Sequence, residues 1–91
     1  MKYVKAWNLR DVCRNPAVPL HIECSTFPGH TYASHTHDFA EFVLVRHGKG
    51  THVLEGHEYA IGAGDAFVIR PFEVHEYRGI HGLELCNICY K

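Results

Sequence analysis

Ninety-one residues with 46% hydrophobic content make one small globular domain, and nine Lys and Arg against ten Asp and Glu leave a net charge of −1. This balance excludes a disordered chain, and the lack of any basic cluster excludes a phosphate-gripping stripe, so no direct DNA binding by this chain is expected. The longest aliphatic run, Val43 to Val45 with Phe42, is far too short to cross a bilayer. Met1-Lys2-Tyr3-Val4-Lys5 leads into Trp7-Asn8-Leu9-Arg10-Asp11 without the apolar stretch of a secretory signal, so the expected location is cytoplasmic, with no membrane partner.

In chain order, the stretch before Pro16 fits either an edge strand or a short arm, so residues 1–19 are set apart from a single domain over 20–91. Turn signals then recur at Phe27-Pro28-Gly29, Gly48-Lys49-Gly50, Glu55-Gly56-His57, Gly62-Ala63-Gly64-Asp65, Arg70-Pro71-Phe72 and Gly79-Ile80-His81-Gly82. The runs between them, rich in Val, Ile, Phe, Tyr and Thr, predict strands over Leu20–Phe27, Phe39–His47, Gly50–Leu54, Glu58–Ile61, Ala66–Ile69, His75–Arg78 and Leu83–Tyr90. No helical period is sustained after residue 20. The fold class is therefore all-β, an antiparallel barrel or jelly roll in one domain, with no helix beyond about two turns.

Of the four cysteines, Cys86 and Cys89 lie three apart on a predicted strand and face opposite ways, which argues against a shared zinc ion. In a cytosolic chain, Cys13, Cys24, Cys86 and Cys89 are expected to be small buried thiols rather than disulfides.

Nine histidines are many for this length. The pair His35-Thr36-His37 carries little alone, but it sits in Gly29-x5-His35-x-His37-x3-Glu41-x6-Gly48, and five residue types at fixed offsets arise by chance in fewer than roughly one in a thousand such chains. On a regular strand residues 35, 37, 39 and 41 share a face, placing two imidazoles and a carboxylate on one wall with Phe39 between them. Such a donor set suits manganese, iron, nickel or zinc. His30, His47, His57 and His81 fall at turns or strand ends and read as solvated surface, whereas His52 lies within a strand and is a candidate for the pocket.

The string from Gly29 to Gly48 resembles the first motif of the cupin superfamily, without departures. A second cupin motif starts at Gly64-Asp65 and runs through Phe67-Val68-Ile69 to His75, which stands where the family places its last metal ligand. Arg70 replaces a proline, Phe72 a glycine and Gly79 an asparagine, which points away from the usual cupin enzymology. The resemblance thus implies a site of His35, His37, Glu41 and His75 for a divalent transition metal. The opening His35-Thr36-His37-Asp38-Phe39-Ala40-Glu41 and the ending Leu85-Cys86-Asn87-Ile88-Cys89-Tyr90 are similar to the N-terminal effector domain of AraC-family transcription regulators, closest to the rhamnose-operon activators.

That resemblance covers roughly residues 20–90 and implies a barrel that binds a small-molecule effector, a monosaccharide above all, in a homodimeric regulator. The helical linker and helix-turn-helix units of the family are not among these residues, and Tyr90-Lys91 falls where the linker would begin, so a truncated regulator is the expectation. Phe39, His52, Phe67, Tyr77 and Asn87 are the expected effector contacts. The competing reading is a stand-alone metal-dependent enzyme, a dioxygenase or sugar isomerase, with Tyr77 or Glu73 as its acid or base. A pure dimerisation module, with an apolar patch and no pocket, is a third.

Overall fold

The computed structural model describes residues 4–12, 20–27 and 29–91. Among them lie strands β1 (Lys5–Trp7), β2 (Leu20–Thr26), β3 (Tyr32–His37), β4 (Ala40–Leu54), β5 (His57–Gly62), β6 (Ala66–Ile69) and β7 (His75–Tyr90), with one helical turn, α1 (Leu9–Val12). Asn8 and Asp11 close that turn reciprocally: the Asn8 N–H donates to Asp11 Oδ2 at 2.9 Å and the Asp11 N–H to Asn8 Oδ1 at 3.2 Å.

The long strands β4 and β7 pair antiparallel from Ala40↔Tyr90 to Leu54↔His75. Toward the Ala40↔Tyr90 end, β2 adds to β7 and β6 adds to β4. Toward the other end, β3 adds to β7 and β5 to β4, with β1 parallel to β3. A four-stranded sheet, β2-β7-β4-β6, and a five-stranded sheet, β1-β3-β7-β4-β5, therefore share two strands that bend from one into the other. This is the antiparallel jelly-roll barrel expected from the short strands and regular turns.

The bend explains why two predicted strand pairs are single strands. The sequence predicts chain breaks at Gly48-Lys49-Gly50 and at Gly79 to Gly82. Instead β4 and β7 continue through both, with register shifts between Val45 and Thr51. Gly48 and Gly82 hold φ of 80° and 59°, and a Cβ on Gly48 would run into the Gly82 carbonyl. Glycines facing each other across the ladder let both strands fold over together without reversing the chain. Glu55 and Gly56, with φ of 48° and 79°, make the two-residue hairpin between β4 and β5, the turn geometry that matches strand twist.

β3 is a strand that the sequence reading did not separate, and the assumed regular run from 35 to 41 is broken. The chain bends at Asp38 and Phe39, where the Asp38 N–H donates to Trp7 O at 3.0 Å and Asp38 Oδ1 accepts the Leu9 N–H at 2.9 Å. His35 and His37 thus end β3, while Glu41 begins β4.

The core consists of Val43, Val45, Ile61, Ile69, Tyr77, Ile80, Leu83 and Leu85; Leu9, Phe39 and Cys89 form a smaller cluster with Trp7 and Val12 packed on it. β2 inverts the usual alternation: His21 and Ser25, half-buried, and Glu23, exposed at the rim, border a cavity, while Leu20 and Ile22 stand on the opposite face at 43% and 62% exposure. Across the sheet Ile22, Ile88, Phe42 and Val68 stand in one register row on this outer face.

The expectation of free thiols is corrected at two positions. Cys24 and Cys86 are register partners on β2 and β7, with Cα atoms 4.0 Å apart, and form a disulfide. Sequence spacing does not reveal this pairing, because it depends on strand register. Cys89 is a free, buried thiol; Cys13 lies outside the described residues. Among the described residues no helix is long and apolar enough to cross a membrane.

Candidate functional site

Because β4 and β7 fold over, the start of β4 in one sheet faces the start of β7 in the other. Glu41 Oε2 lies 3.9 Å from His75 Nε2. β3, beside β7, brings His35 into register with His75. Imidazole nitrogens of His35, His37 and His75 fall within 4.8 Å of one another, and Glu41 Oε2 is 3.1 Å from His37 Nε2. The four residues singled out by spacing therefore converge, although the regular strand assumed for three of them is broken.

Hydrogen bonding orients each ring. His35 Nδ1 is 3.0 Å from Ala33 O, His37 Nδ1 is 2.7 Å from Phe39 O, and His75 Nδ1 is 3.1 Å from His52 Nε2. With the Nδ1 protons donated outward, each Nε2 keeps a free lone pair, the arrangement in which outer partners fix a metal-ligating histidine. The buried His75 Nε2 has no hydrogen-bond partner among the described residues. His37 lies between two acceptors, Phe39 O and Glu41, and a neutral imidazole can donate to only one of them. A cation among these atoms would resolve both conflicts, and three imidazoles with one carboxylate suit a first-row divalent ion. The residues therefore fit a metal, and the triad allows one.

Burial lowers the pKa of His75, His52 and His35 and so favours their neutral form. It pushes the His75 pKa down to about 2, helped by the neighbouring His35, His52 and His37. His52 is pushed down to about 4 by burial, against the opposing pull of Glu41. His35 is lowered by burial, partly offset by its bond to Ala33. Neutral imidazoles are the form that binds a metal. Burial also raises the Tyr77 hydroxyl well above its usual value and the Cys89 thiol to about 12.

A cavity of about 410 Å³ opens beside the triad, within the size range of small-molecule sites. Phe39, Tyr77 and Asn87, all expected effector contacts, line it, and the Phe39 ring stacks on His37 at 4.2 Å. His52 and Phe67 stand elsewhere. His52 is buried behind His75, stacked 4.5 Å from Phe67 and 4.9 Å from Tyr77, and both residues border a separate hollow of about 310 Å³. His52 positions His75 rather than reaching this cavity. Glu73 accepts the Arg70 N–H at 2.6 Å and closes its own turn. Sequence reasoning missed Trp7, Val12, His21, Glu23, Ser25, Phe27 and Tyr32 in the lining. The alternation of β2 was visible, but polar residues on a strand normally read as the solvent face.

Residues 20–89 match the family model described as the AraC-like ligand binding domain. The chain belongs to that family. Among curated relatives it is 40% identical over 81 residues to the HTH-type transcriptional activator RhaR of Yersinia pseudotuberculosis serotype O:1b (strain IP 31758), covering 89% of this chain and 28% of the relative. It is likewise 40% identical over 80 residues to RhaR of Cronobacter sakazakii (strain ATCC BAA-894), covering 88% and 28%. The AraC-like domain thus spans about a quarter of the length of the relatives it matches. Among solved structures it is similar to a cupin 2 conserved barrel domain protein from Rhodopseudomonas palustris, with TM-score 0.72 and 17% identity over 86% of this chain and 56% of that one. A mutant of salicylate 1,2-dioxygenase from Pseudoaminobacter salicylatoxidans, in complex with gentisate, gives TM-score 0.74 and 19% identity over 79% and 20%. At these identities the structural neighbours establish a cupin barrel and nothing about chemistry.

Proposed function

We propose that this AraC-like domain senses a monosaccharide, with rhamnose the first candidate, in the cavity beside a divalent transition metal held by His35, His37, Glu41 and His75. The observation that carries the reading is the contact of an open 410 Å³ cavity with three inward-pointing imidazoles, walled by Phe39 and Tyr77. Aromatic walls with a few polar groups are what a sugar ring needs: apolar faces pack and hydroxyls find partners. The ion would supply a Lewis-acidic anchor for a sugar oxygen, while the chain's own residues orient and desolvate it.

The relatives' printed name supports a role within a transcriptional activator, in which residues 20–91 form the sensing barrel and the edge strand Lys5–Trp7 closes onto it. DNA contact belongs to other parts of such a regulator, since this chain offers no basic stripe. The apolar outer row Ile22-Ile88-Phe42-Val68 supports homodimer formation, two such rows meeting across a two-fold axis.

Titration calorimetry and thermal melting with L-rhamnose, L-fucose, D-galactose and L-arabinose, each with and without zinc, nickel, manganese or iron(II), test the reading. A ligand at a hundred times its Kd stabilises by about 2.7 kcal/mol. His35→Ala is expected to abolish metal-dependent stabilisation. Metal-free protein by elemental analysis, together with no response to added metal or to any sugar, overturns the reading.

A further inference from the structure

The triad is only part of the cavity's lining. β2 and β7 run side by side along the same cavity, with Glu23 opposite Asn87 in register, and both line it. Asn87 Oδ1 is buried and has no hydrogen-bond donor among the described residues, an arrangement that costs stability unless something else donates to it. Glu23, at the mouth with its side chain 62% exposed, is held by His21, whose Nε2 lies 3.4 Å from Glu23 Oε2. Glu41 places a second carboxylate deeper in. No Lys or Arg lines this cavity among the described residues.

We propose that Glu23 and Asn87 form a second ligand-reading element that accepts hydroxyl hydrogen bonds from a neutral polyol and turns away anionic analogues. The inference rests on the effector reading above and adds the residues that select within it. The chemistry follows from the donor and acceptor inventory. One sugar hydroxyl can donate to Asn87 Oδ1 and a second to the Glu23 carboxylate, while a hydroxyl oxygen accepts from the Asn87 amide. A ligand carboxylate or phosphate has no proton to donate to Asn87 or Glu23, finds no Lys or Arg beside them and meets the Glu23 carboxylate as a like charge. A site built to bond a hydroxyl discriminates strongly because its own polar groups are left unpaired by the wrong ligand. The polar residues of β2 that border the cavity gain a purpose on this reading, since a strand that only closed the barrel would bury Leu20 and Ile22 instead.

The test uses metal-loaded protein and calorimetry with L-rhamnose, L-fucose, D-galactose, L-arabinose and D-galacturonate. For whichever neutral sugar binds, Asn87→Leu is expected to weaken binding at least about tenfold and Glu23→Gln several-fold, the losses typical of an unpaired polar partner. Asn87→Asp, which keeps the acceptor oxygen, is expected to retain more affinity than Asn87→Leu. D-galacturonate is expected to bind the wild type at least about tenfold more weakly than the neutral sugar that binds. A melting temperature no lower than that of the wild type, with unchanged metal uptake, confirms an intact barrel in Asn87→Leu, and Glu23→Gln, at an exposed position, keeps the test open if Asn87→Leu fails to fold. Wild-type affinity in Glu23→Gln and in the folded Asn87 variants, or galacturonate bound as tightly as the neutral sugars, overturns this inference and leaves the effector reading standing. If no sugar binds the wild type, both fall.

Discussion

Where β4 and β7 bend, their inward side chains are Val45, Ile80, Leu83 and Leu85, each at most 1% exposed. Where the same strands end, their inward side chains are Glu41, His75, Asn87 and Cys89, which border the cavity. The closed end is a close-packed aliphatic core that holds two sheets together. The open end collects polar groups that cost stability and repay it only by binding something. A barrel of this size can afford such an end because the bend concentrates the apolar contacts elsewhere. His52 marks the boundary between the two regions, buried among aromatic rings yet hydrogen-bonded to a triad histidine.

Acid is the strongest lever on this contrast, because it attacks only the polar end. His75 and His52 have folded pKa values near 2 and 4 against 6.5 unfolded. The depressed values mean that the unfolded chain binds protons first. Their contribution to stability is therefore complete above pH 6.5 and is lost as pH falls toward the folded values. Between pH 7.5 and 5, about 2 kcal/mol is expected to disappear for each residue. The groups facing them are Glu41, Glu73, His35, His37 and Tyr77, and Glu41 and Glu73 oppose the His52 shift. Urea midpoints of metal-free protein at the two pH values measure the loss, and His52→Gln is expected to remove about half of it. A midpoint independent of pH over this range would show that the histidines are not held neutral by burial.

Leu85→Ala breaks the other end. Leu85 is fully buried in the aliphatic cluster, and truncation leaves a cavity that the surrounding β-sheet cannot collapse into. About 3 kcal/mol is expected to be lost. Metal and sugar affinities of the protein that remains folded are expected to stay within about twofold, since ΔΔG values at separated sites are close to additive. A large loss of affinity without a change in urea midpoint would mean that the two ends are not separable in the way their packing implies.

How much of this contrast the sequence revealed depends on range. Gly29, His35, His37, Glu41 and Gly48 lie within one short segment, so their spacing alone pointed to a site, and the bend at Asp38 did not disturb the convergence. His75 was found through the second motif because it too sits at a fixed distance along the chain. The bent strands were misread because glycine marks a bend and a reversal equally well; only the facing positions of Gly48 and Gly82 decide between them. The Cys24–Cys86 disulfide and the Glu23–Asn87 pair depend on β2 lying beside β7, a contact between segments more than sixty residues apart. The polar wall of β2 went unassigned, since alternation shows that a strand has two faces and leaves open which one is inside.

The smallest expected effect lies at the junction of the two ends. Phe72 stands where the cupin pattern has a glycine, and it holds φ of 69°, a left-handed conformation that a side chain with a Cβ disfavours. Its ring is 71% exposed, so packing returns little. Its N–H donates to His37 O at 2.7 Å, and the turn carries the chain from β6 toward His75. The conformation is therefore imposed by the approach of this turn to a triad histidine, and the residue bears the strain. Phe72→Gly keeps the N–H and removes the penalty, at the cost of a more flexible unfolded chain, so the expected net gain is about 1 kcal/mol. A rise in urea midpoint with unchanged metal affinity is the expected result. A fall would show that the exposed ring packs against something in the assembled protein, and the homodimer face would then have to extend to this turn.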